Sequence, residues 1–552
     1  MKNKIFAIAL LALSMTSFGQ KSIKEDLIVG HTRLPLTVLT GVKTFDCNWE
    51  KDQIPELNDK SGYDQQTIKG FLSPQGFTYT TDNPDVIITL KSNAAIIPIP
   101  EYVNMSNSEV NYRAKYSFTP NWTITISGKI NKSIDLSEKI GKIEIMFPTY
   151  KDGSLDKKIT SKEALENDVN AKQEQIIPYI KDLFAKEMLS QTKNIIASEL
   201  GYTRTTTEIR IESFKSNKKN DMTAWQAPFE RGIELLKKLD QGENPNELYT
   251  QYKDIFDFWD GEFAKLKDNY KGNKKVIRAA LYNLVNILTL TNPNAIKDEY
   301  ITLLKEVDAD SYTQRMKAKE YQERQTANIG NTPDFKTLAK LPVLKNYRYE
   351  VVYKDNKGNE KQGVILFYSP FNLDPYQFQS EFKLYDLDTY NSVHGEVSNK
   401  MKLDVKNVDS YHLYGKNYIK LKYTDPTVAS IGGNEGFLEE IITGKMSLYK
   451  FYPLETEGID KVNESDLEKS RTTPSFVVNY GKKTTVAFNY KRLAKMLSDC
   501  KEVADKINNG EYGNKEIKEK TSKFGKFMQE GSHSEIPENT IITITNDFNK
   551  LL

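Results

Sequence analysis

The chain has 552 residues, and its 77 Lys and Arg against 75 Asp and Glu leave a formal charge of +2. That near-neutral balance argues against a dedicated nucleic-acid binder, which would carry a basic excess or stripe. With 38% hydrophobic and 11% aromatic residues the chain can build packed cores. That composition argues against global disorder, and the length accommodates roughly three or four domains.

Residues 1–19 read as a cleavable secretory signal. Lys2 and Lys4 give a positive start, Ile5 to Leu13 an unbroken apolar run, and Ser17-Phe18-Gly19 a small-x-small cleavage site. The run is shorter than the ~20 apolar residues that cross a bilayer. Later apolar stretches such as Ala94 to Pro100 are shorter still, so the mature chain is expected to have no transmembrane segment. Cleavage would leave Gln20 first, with no cysteine for a lipid anchor, and would bring the basic residues level with the 75 acidic ones.

A mixed α+β domain is expected over 20–215. Its strands are Val86 to Leu90, Trp122 to Ile126 and Ile143 to Phe147, the second alternating apolar residues with threonines at the sheet period. A long helix from about Ile176 to Leu200 follows, beginning near Pro178 and ending at Gly201. The strand Glu208 to Phe214 closes the domain, and the polar run 215–221 links it to the next.

Residues 222–327 read as helical throughout. Leu248, Tyr252, Ile255, Trp259, Phe263 and Leu266 form one stripe at steps of three and four, and Ile277, Leu281, Leu284, Val285 and Leu288 another. Asn244-Pro245-Asn246 and Asn292-Pro293-Asn294 lie 48 residues apart in this stretch, each setting Asn as a helix cap and Pro in the first turn. The recurrence predicts helical hairpins stacked in a tetratricopeptide-like manner, with an ordinary bundle as the alternative.

After a linker over 328–345, residues 346–525 read as β-rich with a closing helix. Val351 to Tyr353 and Val364 to Phe367 flank a turn at 355–359. Further strands are expected at Met401 to Val405, Tyr418 to Tyr423, Phe437 to Ile442 and Lys445 to Tyr452, with a hairpin over 475–488 and a helix over 490–508. The tail 526–552 holds one more strand, Thr540 to Thr545. The expected class is therefore multidomain α+β, with a mixed α/β first domain, a helical middle domain and a β-rich last domain.

Within the last domain, Tyr414-Gly415-Lys416-Asn417-Tyr418 and FLEEIITGKMSLYKFY at 437–452 are followed by SFVVNYGKK and FNYKRLAKMLSDCKEVADKINNGEYG. In that order these runs resemble a recurrent C-terminal region of secreted Bacteroidota proteins of unknown function, over about 345–520. The resemblance implies a diderm host in which export ends in the periplasm or beyond. It carries over no catalytic residue.

Chemistry-bearing clusters are scarce. His31, His394, His412 and His533 share no metal-ligand spacing with one another or with the cysteines, and no G-x-S-x-G elbow occurs. The Asp355 turn lacks the acids of a calcium loop. Asp386 and Asp388, like Asp308 and Asp310, read as turn or cap acids. Gly432-Gly433-Asn434-Glu435-Gly436 precedes a strand, where a phosphate cradle would lead into a helix. Trp225 and Trp259 are the aromatics weighed for sugar stacking, Trp259 lying on the apolar stripe.

Cys47 and Cys500 are the only cysteines. An oxidising compartment invites a disulfide between them, and two separately buried thiols are the other reading. The chain is thus expected to be an exported, non-catalytic envelope protein without cofactor, acting as a protein-interaction or scaffold module on envelope proteins or peptides. A periplasmic place is favoured over outer-membrane association or the cell exterior. A secreted glycan hydrolase and a periplasmic binder of small ligands or lipid are the alternatives.

Overall fold

The computed structural model describes residues 22–38, 40–50, 65–105, 110–147, 159–216, 221–331, 333–344, 348–367, 378–379, 382–424, 434–452, 474–487, 489–513 and 536–551. The expected signal at 1–19, His533 and the pair Gly432-Gly433 lie outside them. Helices and several sheets are both present, so the class is α+β. Two units divide the chain. The first takes its described residues from Met1–Thr40, Pro74–Gly76 and Ala197–Leu344, the second from Gly41–Ser73, Phe77–Ile196 and Lys345–Leu552.

The first unit is organised by a two-stranded ribbon. Strands Ser22–Arg33 and Thr203–Phe214 pair antiparallel, with Ser22 opposite Phe214 at one end and Arg33 opposite Thr203 at the other. Two strands alone are marginal in water, and this pair is stabilised by helices. Val29, Ile209 and Ile211 share one core with Trp225, Phe229, Trp259 and Ile287. Each such side chain, fully buried, contributes about 1.5–3 kcal/mol. Asn283 of helix Lys274–Thr291 supplies what a third strand would. Its Oδ1 accepts the Glu212 backbone N–H and its Nδ2 donates to the Glu212 carbonyl, both at 2.9 Å. The ribbon's strands thus group with the helices of 222–327, where the sequence placed them in a separate domain over 20–215.

Within the helical stretch the long stripe divides. Pro245–Gln251 and Lys253–Leu266 are separate helices, parted by Tyr252 at φ −108°, ψ 24°. The Tyr252 ring is buried, with Arg231 and Lys238 over it at 5.1 and 5.3 Å. The second stripe is a helix as expected, and Ile277, Leu281, Leu284, Val285 and Leu288 are all buried. Asn244 caps its helix through the Asn246 N–H, whereas Pro293–Ala295 is a 3₁₀ turn and the next helix starts only at Asp298. Both tryptophans weighed for sugar stacking are core residues; Trp225 packs edge-to-face on Phe214 and Phe258. A short helix, Phe335–Leu338, lies inside the expected linker.

In the second unit, a five-stranded mixed sheet has the order Thr78–Tyr79, Thr44–Glu50, Val86–Lys91, Thr123–Gly128 and Lys132–Asp135. A three-stranded one has the order Glu101–Asn104, Tyr112–Phe118 and Ile143–Phe147. Helix Gln173–Glu199 begins five residues before Pro178, which sits inside it, and stacks Phe184 on Phe118 at 4.6 Å.

The nine-stranded antiparallel sheet of the same unit runs Phe382–Asp386, Glu360–Phe367, Arg348–Asp355, Val408–Leu413, Lys416–Tyr423, Asn434–Ile442, Met446–Phe451, Ser475–Tyr480 and Lys483–Val486. Tyr414 and Gly415 join two of these strands with φ of 55° and 73°, the signs a two-residue hairpin turn of right-handed twist requires. A tyrosine there is strained, and its ring is held against Tyr349 and Phe378 at 5.4 and 6.3 Å.

Three expectations are corrected here. Met401 to Val405 is not a strand but joins two 3₁₀ turns, the second capped by Asp404 through the Lys406 N–H. The closing helix is two, Tyr490–Met496 and Lys501–Asn509, broken at Cys500. The tail segment Thr540 to Thr545 belongs to helix Glu538–Leu551. Its β-branched residues favour a strand, yet Ile541, Ile544, Thr545 and Phe548 recur at steps of three and four and are all buried. The Thr543 and Thr545 hydroxyls donate to carbonyls four residues back.

Candidate functional site

At the end of the ribbon, register sets His31 opposite Thr205 and Thr32 opposite Arg204. Helix Gln226–Asp240 ends beside them. The Gly30 N–H donates to Asp240 Oδ1 at 2.7 Å, and Arg204 Nη2 donates to the Asp240 carbonyl at 2.7 Å. A Cβ on Gly30 would lie 2.6 Å from Arg204 and 2.8 Å from Asp240. Only glycine leaves the carboxylate room to reach the strand there. Arg204 is 6% exposed; burial works against its charge and Asp240 restores part of it.

His31 is buried in this corner. Its Nε2 lies 3.1 Å from the Tyr321 hydroxyl and 3.2 Å from Thr207 Oγ1, and its Nδ1 has no partner. Burial, with Arg204, Lys317 and Arg33 nearby, pulls its pKa down to about 3, while burial pushes the Tyr321 hydroxyl well up. Both are neutral near pH 7, and proton transfer there calls for a group that titrates near that pH. The pair is poorly matched to acid–base catalysis.

Arg324 closes the corner as a clamp. It donates to the Leu34 carbonyl at 2.6 Å, the Ser198 carbonyl at 2.9 Å, Ser198 Oγ at 2.7 Å and Glu320 at 2.9 Å. Arg33 also pairs with Glu320. Burial raises the Glu320 carboxyl pKa, but Arg33 and Arg324 outweigh it and hold the group ionised. Asn328 donates to the Pro35 carbonyl at 2.7 Å, and Asn331 to Tyr202 Oη and Asn328 Oδ1 at 2.9 and 3.0 Å.

These elements wall a cleft of about 80 Å³, and the two Asn-Pro-Asn turns meet at its rim. Gln325 ties them together. Its Oε1 accepts the Asn294 N–H at 2.9 Å, and its Nε2 donates to Asn246 Oδ1 at 3.4 Å. Asn246 Nδ2 and Asn331 Oδ1 take part in none of these bonds. Leu34, Leu239, Leu290, Pro293 and Phe335 give the cleft apolar walls, and Glu243 is its one carboxylate.

Cys47 and Cys500, the pair weighed for a disulfide, are both buried and both free. Burial pushes the Cys47 thiol far up. His412 pairs through Nδ1 with Asn417 Oδ1 at 2.9 Å on the neighbouring strand, and His394 sits in a turn at φ 51°. Asp355 accepts the Lys357 and Asn359 N–H groups within its hairpin turn. Asp386 caps a helix, and Asp308 accepts the Asp310 N–H. Among the described residues no group of three His, Cys, Asp or Glu is placed to hold a metal ion. Among them, too, no helix is long and apolar enough to cross a membrane.

Sequence reading had noticed the two Asn-Pro-Asn runs but took them as repeat markers. Arg204, Tyr321, Arg324 and Gln325 give no such signal, since nothing in their spacing ties them to partners 31 to 290 positions away. No family model, no curated protein and no solved structure matches the chain.

Proposed function

We propose that this is an exported, non-catalytic binding protein of the cell envelope, and that the cleft between the two Asn-Pro-Asn turns receives a segment of a partner protein or peptide. The observation that carries this reading is the cleft's composition. Two side-chain amides of the lining, Asn246 with a free donor and Asn331 with a free acceptor, offer what a peptide backbone needs, beside apolar walls for its side chains. The volume of about 80 Å³ falls below the ~300–1,000 Å³ of enclosed small-molecule sites, which favours a side chain and a short stretch of backbone over a metabolite.

Binding is preferred to turnover because His31 and Tyr321 stay neutral and the lining offers one carboxylate where glycoside hydrolysis uses two. Export rests on the order of charges and apolar residues in 1–19, and the diderm setting on the resemblance over about 345–520. The tetratricopeptide-like reading belongs to the same proposal: it accounts for the 48-residue recurrence that brings two like turns to one cleft.

A photo-crosslinking residue placed at Asn246 of the full chain, expressed in its own host, tests the reading. A discrete adduct is expected at Asn246, and none from the same probe at Lys357, in the exposed hairpin turn of the second unit. Gln325→Ala should weaken the adduct. Equal labelling from both positions, or none from Asn246, would count against the cleft.

A further inference from the structure

Strand Ser22–Arg33 has Thr203–Phe214 along one edge and no strand along the other. In an antiparallel pair, residues opposite each other both turn their backbone groups into the ladder or both turn them away. The Gly30 N–H donates outward to Asp240, and Glu212, opposite Lys24, exchanges both backbone groups with Asn283. The even-numbered residues of Ser22–Arg33 therefore turn their N–H and C=O groups to the open edge. Among the described residues, nothing bonds those of Lys24, Asp26 or Ile28. The stretch is accessible: Lys24, Glu25 and Asp26 are exposed, and Ile28 is 52% exposed.

Native sheets blunt such edges with bulges, prolines or unpaired charges. Here the register runs from Ser22 to Arg33 without a shift, and the strand holds no proline. Two of its charges are already balanced on the ribbon itself. Lys24 lies 3.2 Å from Glu212, and Asp26 bonds Arg210 at 2.7 and 3.0 Å.

The residue order about Glu25 selects the occupant. Ser22-Ile23-Lys24 runs up to Glu25 as Ile28-Leu27-Asp26 runs back to it. A second copy turned about a two-fold axis at Glu25 sets Lys24 against Asp26 twice and Ile23 against Leu27 twice. Opposite charges meet on one face, and apolar side chains on the face where Ile23 and Leu27 already pack against the core. The same register sets even residues opposite even ones, so Ser22, Lys24, Asp26 and Ile28 can exchange about eight backbone bonds. It ends at Ile28, before Gly30, whose N–H is taken by Asp240. The one like-charged pair is Glu25 with its own copy, which weakens the contact.

We propose that this edge is a self-association surface, on which two copies of the chain pair their 22–28 stretches antiparallel into a continuous four-stranded sheet. None of these residues lines the peptide cleft.

Symmetry supplies the test, because residue 25 alone meets its own copy. Opposed Cα atoms in such a pair lie about 4.5 Å apart, within disulfide reach, and the native Cys47 and Cys500 are buried. The full chain carrying Glu25→Cys, oxidised with glutathione, should become a covalent dimer, whereas Asp26→Cys and Lys357→Cys should stay largely monomeric. Sedimentation velocity on the unmodified chain should show a monomer–dimer equilibrium with a Kd of about 1–100 μM. Glu25→Gln should tighten it several-fold. Ile28→Pro removes an outward N–H and leaves the ribbon's own ladder intact, and should weaken it at least about tenfold. A monomer up to about 1 mM, equal linking from residues 25, 26 and 357, or a dimer indifferent to both substitutions overturns the proposal. So does capture of Glu25→Cys in the host by a different protein instead of its own copy.

Discussion

Replacing Asn283 with leucine tests whether a single side chain completes the ribbon. Asn283 is fully buried in helix Lys274–Thr291, and its amide satisfies both backbone groups of Glu212 at 2.9 Å. Leucine keeps the branched shape and is somewhat larger, so no cavity opens. What remains is a buried N–H and a buried C=O without partners, each costing about 1–3 kcal/mol. The expected loss is therefore about 2–6 kcal/mol. At a urea slope of about 2 kcal/mol per M, the first unit's midpoint should fall by about 1–3 M. Trp225 and Trp259 sit in the first unit and Trp49 and Trp122 in the second. Tryptophan fluorescence in a Trp49→Phe, Trp122→Phe background therefore follows the first unit alone. Asn286, one turn on, reaches the Arg210 carbonyl only at 3.5 Å from an exposed position. Asn286→Leu should stay within about 0.5 kcal/mol. If the two substitutions shift the midpoint equally, the ribbon does not depend on this bridge.

His31 gives a pH test. Its folded pKa of about 3 lies below the ordinary 6.5, so between those values the unfolded chain binds the extra proton. Stability should then fall as the pH drops through that window, by up to about 1.4 kcal/mol per unit, and His31→Gln should remove that share of the slope. An identical slope in urea titrations from pH 6.5 to 4 contradicts the burial argument. For the cysteines, thiol titration should find almost none reactive in the native protein and both after denaturation; no thiols in denaturant would mean that Cys47 and Cys500 pair after all. Phe548 is fully buried, 4.8 Å from the Tyr480 ring. Phe548→Ala should cost about 3–5 kcal/mol, read as lost amide-exchange protection in strands Met446–Phe451 and Ser475–Tyr480. Unchanged protection there would show that the tail helix is dispensable.

Alternating strands were easiest to read in the sequence because one face is wet and one dry. Val86–Lys91, Thr123–Gly128 and Arg348–Asp355 follow their patterns closely. The long apolar stripes of 248–288 gave helices for the same reason. The pattern could not show where a helix is interrupted: Tyr252 and Cys500 leave helical geometry while staying buried. It also misread Thr540 to Thr545, whose residues favour a strand locally but form a helix because tertiary packing rewards the 541, 544, 545, 548 face. Strand Ser22–Arg33 carries Lys24, Glu25, Asp26, His31 and Arg33, too polar to announce a strand, and its partner lies about 180 residues on.

The candidate cleft was legible only in its rim, and the reason is physical. A side-chain amide reads as a solvated polar residue, yet in this protein amides repeatedly take the place of backbone. Asn283 brackets Glu212, and Asn549 of the tail helix brackets Met446 in the same way, accepting its N–H and donating to its carbonyl at 2.9 Å. Gln325 accepts the backbone N–H of Asn294, and Asn328 donates to the Pro35 carbonyl. These contacts join segments far apart in sequence, so no local pattern records them. They also bear on function. A fold that uses amides to hold its own peptide groups presents, at the cleft between residues 246 and 331, the same kind of group with its donor and acceptor unspent. A partner's backbone would be held there by the chemistry that already completes the ribbon and seats the tail helix. Gln325→Glu separates the two roles: the carboxylate still accepts the Asn294 N–H but repels Asn246 Oδ1, so partner crosslinking at Asn246 should fall while the first unit's urea midpoint stays within about 0.5 M. A collapse of the midpoint, or crosslinking at full strength, would break the link between the internal bridges and the cleft.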